Sequence, residues 1–175
     1  MFRRLLLGAA AGAAGTTALN AVTYADMVWS ARPASSTPQQ VVEGLAKSAD
    51  VNVPGEGEDR DNRLSALGAM SGIVTGVGIG AAYGLLDVVG LRPPTWLGGL
   101  LASAAAMAGS NVPMAVLGVS DPTTWAAKDW ASDVVPHLAY GAVVATVFET
   151  VVRDRDSRQA ARQLASDVES ALTRR

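Results

Sequence analysis

The sequence predicts an all-α fold: a multi-pass transmembrane four-helix bundle with a glycine-ladder helix, short interfacial helices in the outer connectors and an amphipathic C-terminal tail. Three observations predict it. Four blocks carry almost no charge, at about 5–29, 64–86, 96–119 and 134–152, and each has the ~20 residues or more that cross a bilayer as a helix. Five glycines, Gly68, Gly72, Gly76, Gly80 and Gly84, stand four apart inside the second block. The charged residues are segregated into the connectors and the tail, with arginine gathered at one set of ends. At 175 residues the chain reads as one membrane domain, 1–152, followed by a cytoplasmic tail, 153–175.

The first span holds one charge, Asp26, close to its end, and carries its own every-fourth stripe of Gly8, Gly12, Thr16, Asn20 and Tyr24. Its opening, Phe2-Arg3-Arg4-Leu5-Leu6-Leu7, is also the opening of a secretory or twin-arginine signal. No small-x-small cleavage site closes the apolar run before Trp29, so the span is expected to be retained; a cleaved signal would leave three spans. The outer connector, 30–63, contains Thr37-Pro38-Gln39-Gln40, which reads as a capping box with proline at the first helical position. Val41, Val42, Leu45 and Ala46 follow on one face, predicting a short helix on the membrane surface.

The second span carries the ladder. Glycine costs up to about 1 kcal/mol in a water-exposed helix, whereas in lipid a small residue every fourth position lets another backbone come close. The stripe of span one, small in its cytoplasmic half and polar in its outer half, is a candidate to face the ladder of Gly68, Gly72, Gly76, Gly80 and Gly84. The stiff turn Gly90-Leu91-Arg92-Pro93-Pro94 makes spans two and three antiparallel neighbours. Span three is rich in small residues, and Pro113 kinks it near Asn111. Asp121-Pro122 opens the next connector, with Trp125 and Trp130 expected at headgroup level. The fourth span has His137 and Glu149 near its two ends, and the tail after it places Ala161, Leu164, Val168, Ala171 and Leu172 on one helical stripe.

Basic residues orient the bundle. Arg3, Arg4, Arg92 and the arginines after residue 152 fall on one side, while the connectors after spans one and three are net acidic; Arg60 and Arg63 dissent. Both termini are therefore expected in the cytoplasm. In that orientation all four spans contribute polar groups to the outer leaflet, and Asn20, Tyr24, Asp26, Asn111, His137 and Tyr140 form the candidate polar cluster. Asp26 beside His137 would make a titrating pair. The competing reading leaves both hydrated among the headgroups, with Asn111 capping a kinked helix.

Other chemistry is scarce. With no cysteine and one histidine, thiol catalysis and a multi-histidine metal site within one chain are excluded, and no cofactor is expected. A net charge of -2 argues against nucleic acid as a partner. Gly76-Val77-Gly78-Ile79-Gly80 lies inside an apolar helix rather than after a strand, so it is no dinucleotide fingerprint.

Two stretches carry a family resemblance: Gly12 through Met27 with Arg32-Pro33, and Pro113 to Gly141, including Leu117-Gly118-Val119-Ser120-Asp121-Pro122, Trp130 and His137-Leu138-Ala139-Tyr140-Gly141. In these the chain resembles small uncharacterised bacterial inner-membrane proteins of the YagU type, and more closely their actinobacterial relatives. The resemblance implies a multi-pass inner-membrane protein and no particular catalysis. The expected function is thus structural, in assembly or self-oligomerisation, with the lipid bilayer and a homo-oligomer or larger membrane complex as partners. The alternative is a small transporter or channel element built on Asp26 and His137. An enzyme is not expected.

Overall fold

The computed structural model describes the backbone of residues 1–173, with side chains as far as residue 152 and at Gln163. It contains five α-helices: α1 (Phe2–Ser30), α2 (Thr37–Ser48), α3 (Gly57–Val88), α4 (Thr95–Val116) and α5 (Ala127–Thr173), with a 3-10 turn at Pro122–Thr124. Among the described residues there is no strand. Among the described residues, four helical segments are long and apolar enough to cross a membrane: Phe2–Ser30, Gly57–Val88, Thr95–Val116 and Ala127–Val152. The side-chain stripe expected on the tail lies outside the described residues.

The helix ends differ from the sequence boundaries where local capping overrides hydropathy. α3 starts within the charged stretch before residue 64, and Glu58 and Asp59 stand in its first turn, where acids favour the positive end of the helix dipole. α4 stops at Val116 because Gly118 takes φ +66°, and Val119 N–H closes back onto the Met114 carbonyl at 2.9 Å. α5 begins at Ala127, ahead of the expected 134, with the Asp129 carboxylate accepting from the Ala126 N–H at 3.0 Å. The capping box expected at Thr37 does not form: the cap position is Ser36, and Ser35 Oγ accepts from the Thr37 N–H at 3.2 Å.

The four long helices run up and down in chain order, with α1 also packed against α5 so that the ring closes. α1 uses two faces of small residues. Gly8 and Gly12 meet α3, while Ala11 and Gly15 meet α5. On the first face the backbones touch. A Cβ at Gly12 would lie 2.5 Å from the Gly76 carbonyl oxygen and 3.0 Å from Gly80 Cα, and one at Gly8 would lie 2.9 Å from Gly84 Cα. The register is antiparallel, running from Gly84 against Arg4 and Gly8 to Gly76 against Thr16. A second glycine contact, unforeseen from the sequence, joins Gly99 of α4 to Gly141 of α5.

Two of the five ladder glycines depart from this interface. Gly68 is covered by Pro38 and Gln39 of α2 rather than by α1, and nothing lies within 4 Å of a Cβ placed at Gly72. The reason is geometric. An every-fourth stripe rotates about 40° per step on a helix with 3.6 residues per turn, so five such positions cannot all face one partner.

Aromatic and branched residues fill the centre: Tyr140 and Val144 are fully buried among Ala11, Ala102, Ala106, Phe148 and Val152. The Tyr83 and Phe148 rings meet edge-on at 5.5 Å. The outside is as apolar as the inside. Leu6, Leu67, Met70, Ile73, Val74, Leu100, Leu101, Val112, Val116, Val135 and Leu138 are exposed. Only 22% of the apolar window of α1 and of α3 is buried within the bundle. A surface of this extent is far beyond the patches that water-soluble monomers carry, and it marks the chain as a membrane protein.

Candidate functional site

The polar groups that meet do so on α4 and α5. His137 is 8% exposed. Its Nδ1 lies 2.6 Å from the Asp133 backbone oxygen and 3.4 Å from Asp133 Oδ1, and its Nε2 lies 3.5 Å from Ser110 Oγ. Ser110 Oγ is 3.3 Å from Asn111 Oδ1, and Asn111 Nδ2 donates to Asp133 Oδ2 at 2.8 Å. The four side chains close a ring from Asp133 through His137, Ser110 and Asn111 back to Asp133. Each helix supplies neighbours in sequence: Ser110 and Asn111 adjacent on α4, Asp133 and His137 four apart on one face of α5.

A proline accompanies the ring on each helix, Pro113 on α4 and Pro136 on α5. Proline has no N–H to give the carbonyl four residues back, so Gly109 and Ser132 each keep a carbonyl without its usual helical donor. The ring thus stands where both helices carry spare acceptors. Chemically it is suited to hold a proton or a water between an imidazole and a carboxylate. Among the described residues, no group of three or more His, Cys, Asp or Glu side chains is placed to hold a metal ion.

The remaining candidates are elsewhere. Asp26 pairs with Arg32, whose Nε lies 2.6 Å from Asp26 Oδ2. The left-handed Ala31, at φ 53°, folds the chain back at the end of α1 and brings Arg32 to it. The expected Asp26–His137 pair is therefore replaced by two pairs closed within single segments, Asp26 with Arg32 and His137 with Asp133. Tyr24 is 60% exposed on the outside of α1. Asn20 is half-buried on α1, outside the ring. Tyr140 is buried, and its hydroxyl donates 2.6 Å to the Gly76 carbonyl across the bundle, so it serves packing.

Asp133 is the residue that sequence reasoning missed. With the fourth span starting at 134, it fell into the connector; an α5 beginning earlier would have put it four residues before His137 on the same face.

Elsewhere on this end, Trp125 and Trp130 meet edge-on at 5.1 Å, and the Trp125 indole donates to Ser120 Oγ at 2.9 Å. Asp121 caps the 3-10 turn. The Thr123 hydroxyl and then the Thr123 backbone N–H, bonding its carboxylate, hold it below the usual aspartate range.

At the opposite end, Asp87 is 8% exposed and receives two guanidiniums, Arg4 Nε at 3.0 Å and Arg92 Nε at 2.7 Å. Thr95, at the start of α4, donates its hydroxyl to Glu149 of α5. No protein-family model, curated protein or solved structure matches the chain.

Proposed function

We propose that the chain is a structural protein of the bacterial inner membrane that assembles with copies of itself or within a larger membrane complex. One observation supports this reading above others: α1 and α3 close backbone to backbone at Gly8, Gly12, Gly76, Gly80 and Gly84 while the apolar outer surface is left uncovered. Lipid-exposed glycines add to it, since Gly72 and Gly78 have open space in front of them, and small residues at such positions permit close helix association. The proposal places both termini in the cytoplasm, on the strength of the arginine distribution. Kinship with the YagU type rests on the stretches around Asn20–Asp26 and Pro113–Gly141. Energy transfer between differently labelled copies, followed as they are diluted with lipid, tests the self-association form. Transfer that persists at high dilution supports it, and random-collision transfer at every ratio overturns it.

A second reading, a small transporter or channel element, is favoured by the ring of Ser110, Asn111, Asp133 and His137 beside two prolines. The paired groups are then His137 and Asp133 rather than His137 and Asp26. His137→Ala in proteoliposomes separates the readings: assembly survives it in both, whereas proton-linked flux is lost only if the ring carries protons.

A further inference from the structure

The arginine-rich end of the bundle contains an arrangement that packing alone does not use. Asp87 lies against Arg92, whose Nε is 2.7 Å from Oδ1, and the terminal nitrogens of that guanidinium make no hydrogen bond to the protein among the described residues. The Arg92 side chain is 63% exposed. A guanidinium held at Nε has its position fixed while its other donors remain available to a phosphate oxygen. The turn that carries it is rigid, with Gly90 at φ +81° followed by Pro93 and Pro94.

Directly after the turn, α4 opens with Trp96, 67% exposed, and continues on the same face with Leu100, 49% exposed, and the exposed Ala104. An indole at the helix start followed by an open apolar lane matches the order of a phospholipid: headgroup, glycerol level, acyl chain. Arg3 and Arg4 bring further positive charge to the same end.

We propose that Arg92, positioned by Asp87, and the Trp96–Leu100–Ala104 face of α4 together bind one anionic phospholipid, its phosphodiester on the guanidinium and one acyl chain along α4. The proposal rests on the membrane reading and is independent of whether the protein assembles or transports. Asp87 acts here as a positioning residue and does not touch the lipid.

The test uses the full chain in phosphatidylcholine nanodiscs containing a minority of phosphatidylglycerol, with the lipid retained by the released protein identified by native mass spectrometry. Phosphatidylglycerol should be retained in preference to phosphatidylcholine. Arg92→Gln, a change on an exposed side chain, should weaken that preference roughly fivefold, the factor corresponding to about 1 kcal/mol per basic residue near an anionic surface. Trp96→Ala should weaken retention of both lipids. Asp87→Asn gives the sharpest contrast. It adds one unit of positive charge, so unspecific attraction would tighten phosphatidylglycerol binding, whereas loss of a positioned fork loosens it.

Tighter binding by Asp87→Asn, no effect of Arg92→Gln, or displacement of the lipid by millimolar inorganic phosphate would each overturn the lipid site. If Asp87→Asn does not fold, Arg92→Gln and Trp96→Ala decide. Flotation of the chain with pure phosphatidylcholine vesicles checks insertion separately. Failure there would sink the membrane reading itself, while insertion without phosphatidylglycerol preference sinks only this inference.

Discussion

The α1–α3 contact and the outer part of the α4–α5 contact solve the same problem by opposite means. Along the middle of the α1–α3 contact, Gly8 and Gly12 lie against Gly76, Gly80 and Gly84, and backbone atoms set the distance. Between α4 and α5 the helices are joined by four polar side chains in a closed ring, with a glycine contact at Gly99 and Gly141 deeper in the bundle. A contact of backbone on backbone gains dispersion energy at close range and excludes any larger residue, because neither partner can turn aside. A ring of side chains can rearrange, exchange donors and accept an isosteric replacement. The first contact fixes geometry; the second fixes orientation.

That contrast can be broken most directly at Gly80. A Cβ there would lie 2.6 Å from the Gly12 backbone nitrogen. Gly80→Ala is therefore expected to destabilise the bundle by about 3 kcal/mol, the upper end of ordinary overpacking, measured by reversible unfolding in mixed micelles. Gly72→Ala is its control. With nothing within 4 Å of its Cβ, it should leave stability unchanged within about 0.5 kcal/mol or raise it slightly. Equal effects at the two positions would refute the contact map of α3.

The ring should respond differently to removal and to replacement. Asn111→Ala deprives Asp133 of its 2.8 Å donor, with an expected loss of about 1–3 kcal/mol for a half-buried charged acceptor. Asp133→Asn keeps the shape and an acceptor oxygen and should cost less. If both cost the same, the ring is packing material and its polarity has no structural role.

Tyr140→Phe sharpens the comparison at smaller scale. The hydroxyl ties α5 to the Gly76 carbonyl, so its loss should cost about 0.6 kcal/mol, the average for hydrogen bonds between membrane helices. The smallest effect is local to the 3-10 turn. Asp121 is held below the usual aspartate range by Thr123, so the charged form is favoured in the folded state. The cap's contribution is present above the ordinary aspartate value and is lost as pH falls through the lowered one. Carboxyl carbon shifts of Asp121 followed by NMR should move at lower pH in the wild type than in Thr123→Val, whose replacement lacks the hydroxyl that makes the larger contribution.

Much of the fold was legible because lipid imposes a length and a polarity that short-range signals cannot hide. The four apolar helices follow from hydropathy, and Gly76, Gly80 and Gly84 against Gly8 and Gly12 follow from spacing. Gly72 was misread because a spacing of four says nothing about how far the stripe turns or where α2 takes over. Asp26 was misassigned because depth in the membrane ranks residues by height and not by azimuth, and because the backward fold at Ala31 depends on one backbone angle. Asn111 and His137 fall in one ring, joined through Ser110 and Asp133. Their carboxylate was overlooked since hydropathy ends a span at the first charge, while a helix ends only where its hydrogen bonds do.

The tryptophans offer an optical consequence. Trp29, Trp125 and Trp130 lie toward the end with the polar ring, and Trp96 alone lies at the arginine end. The molecule therefore carries an uneven set of fluorophores across its own thickness. A membrane-impermeant quencher added to right-side-out vesicles should remove the larger part of the emission if the arginine end faces inward. The same quencher should remove the smaller part if the bundle is reversed. Unlabelled protein is enough to read its own orientation.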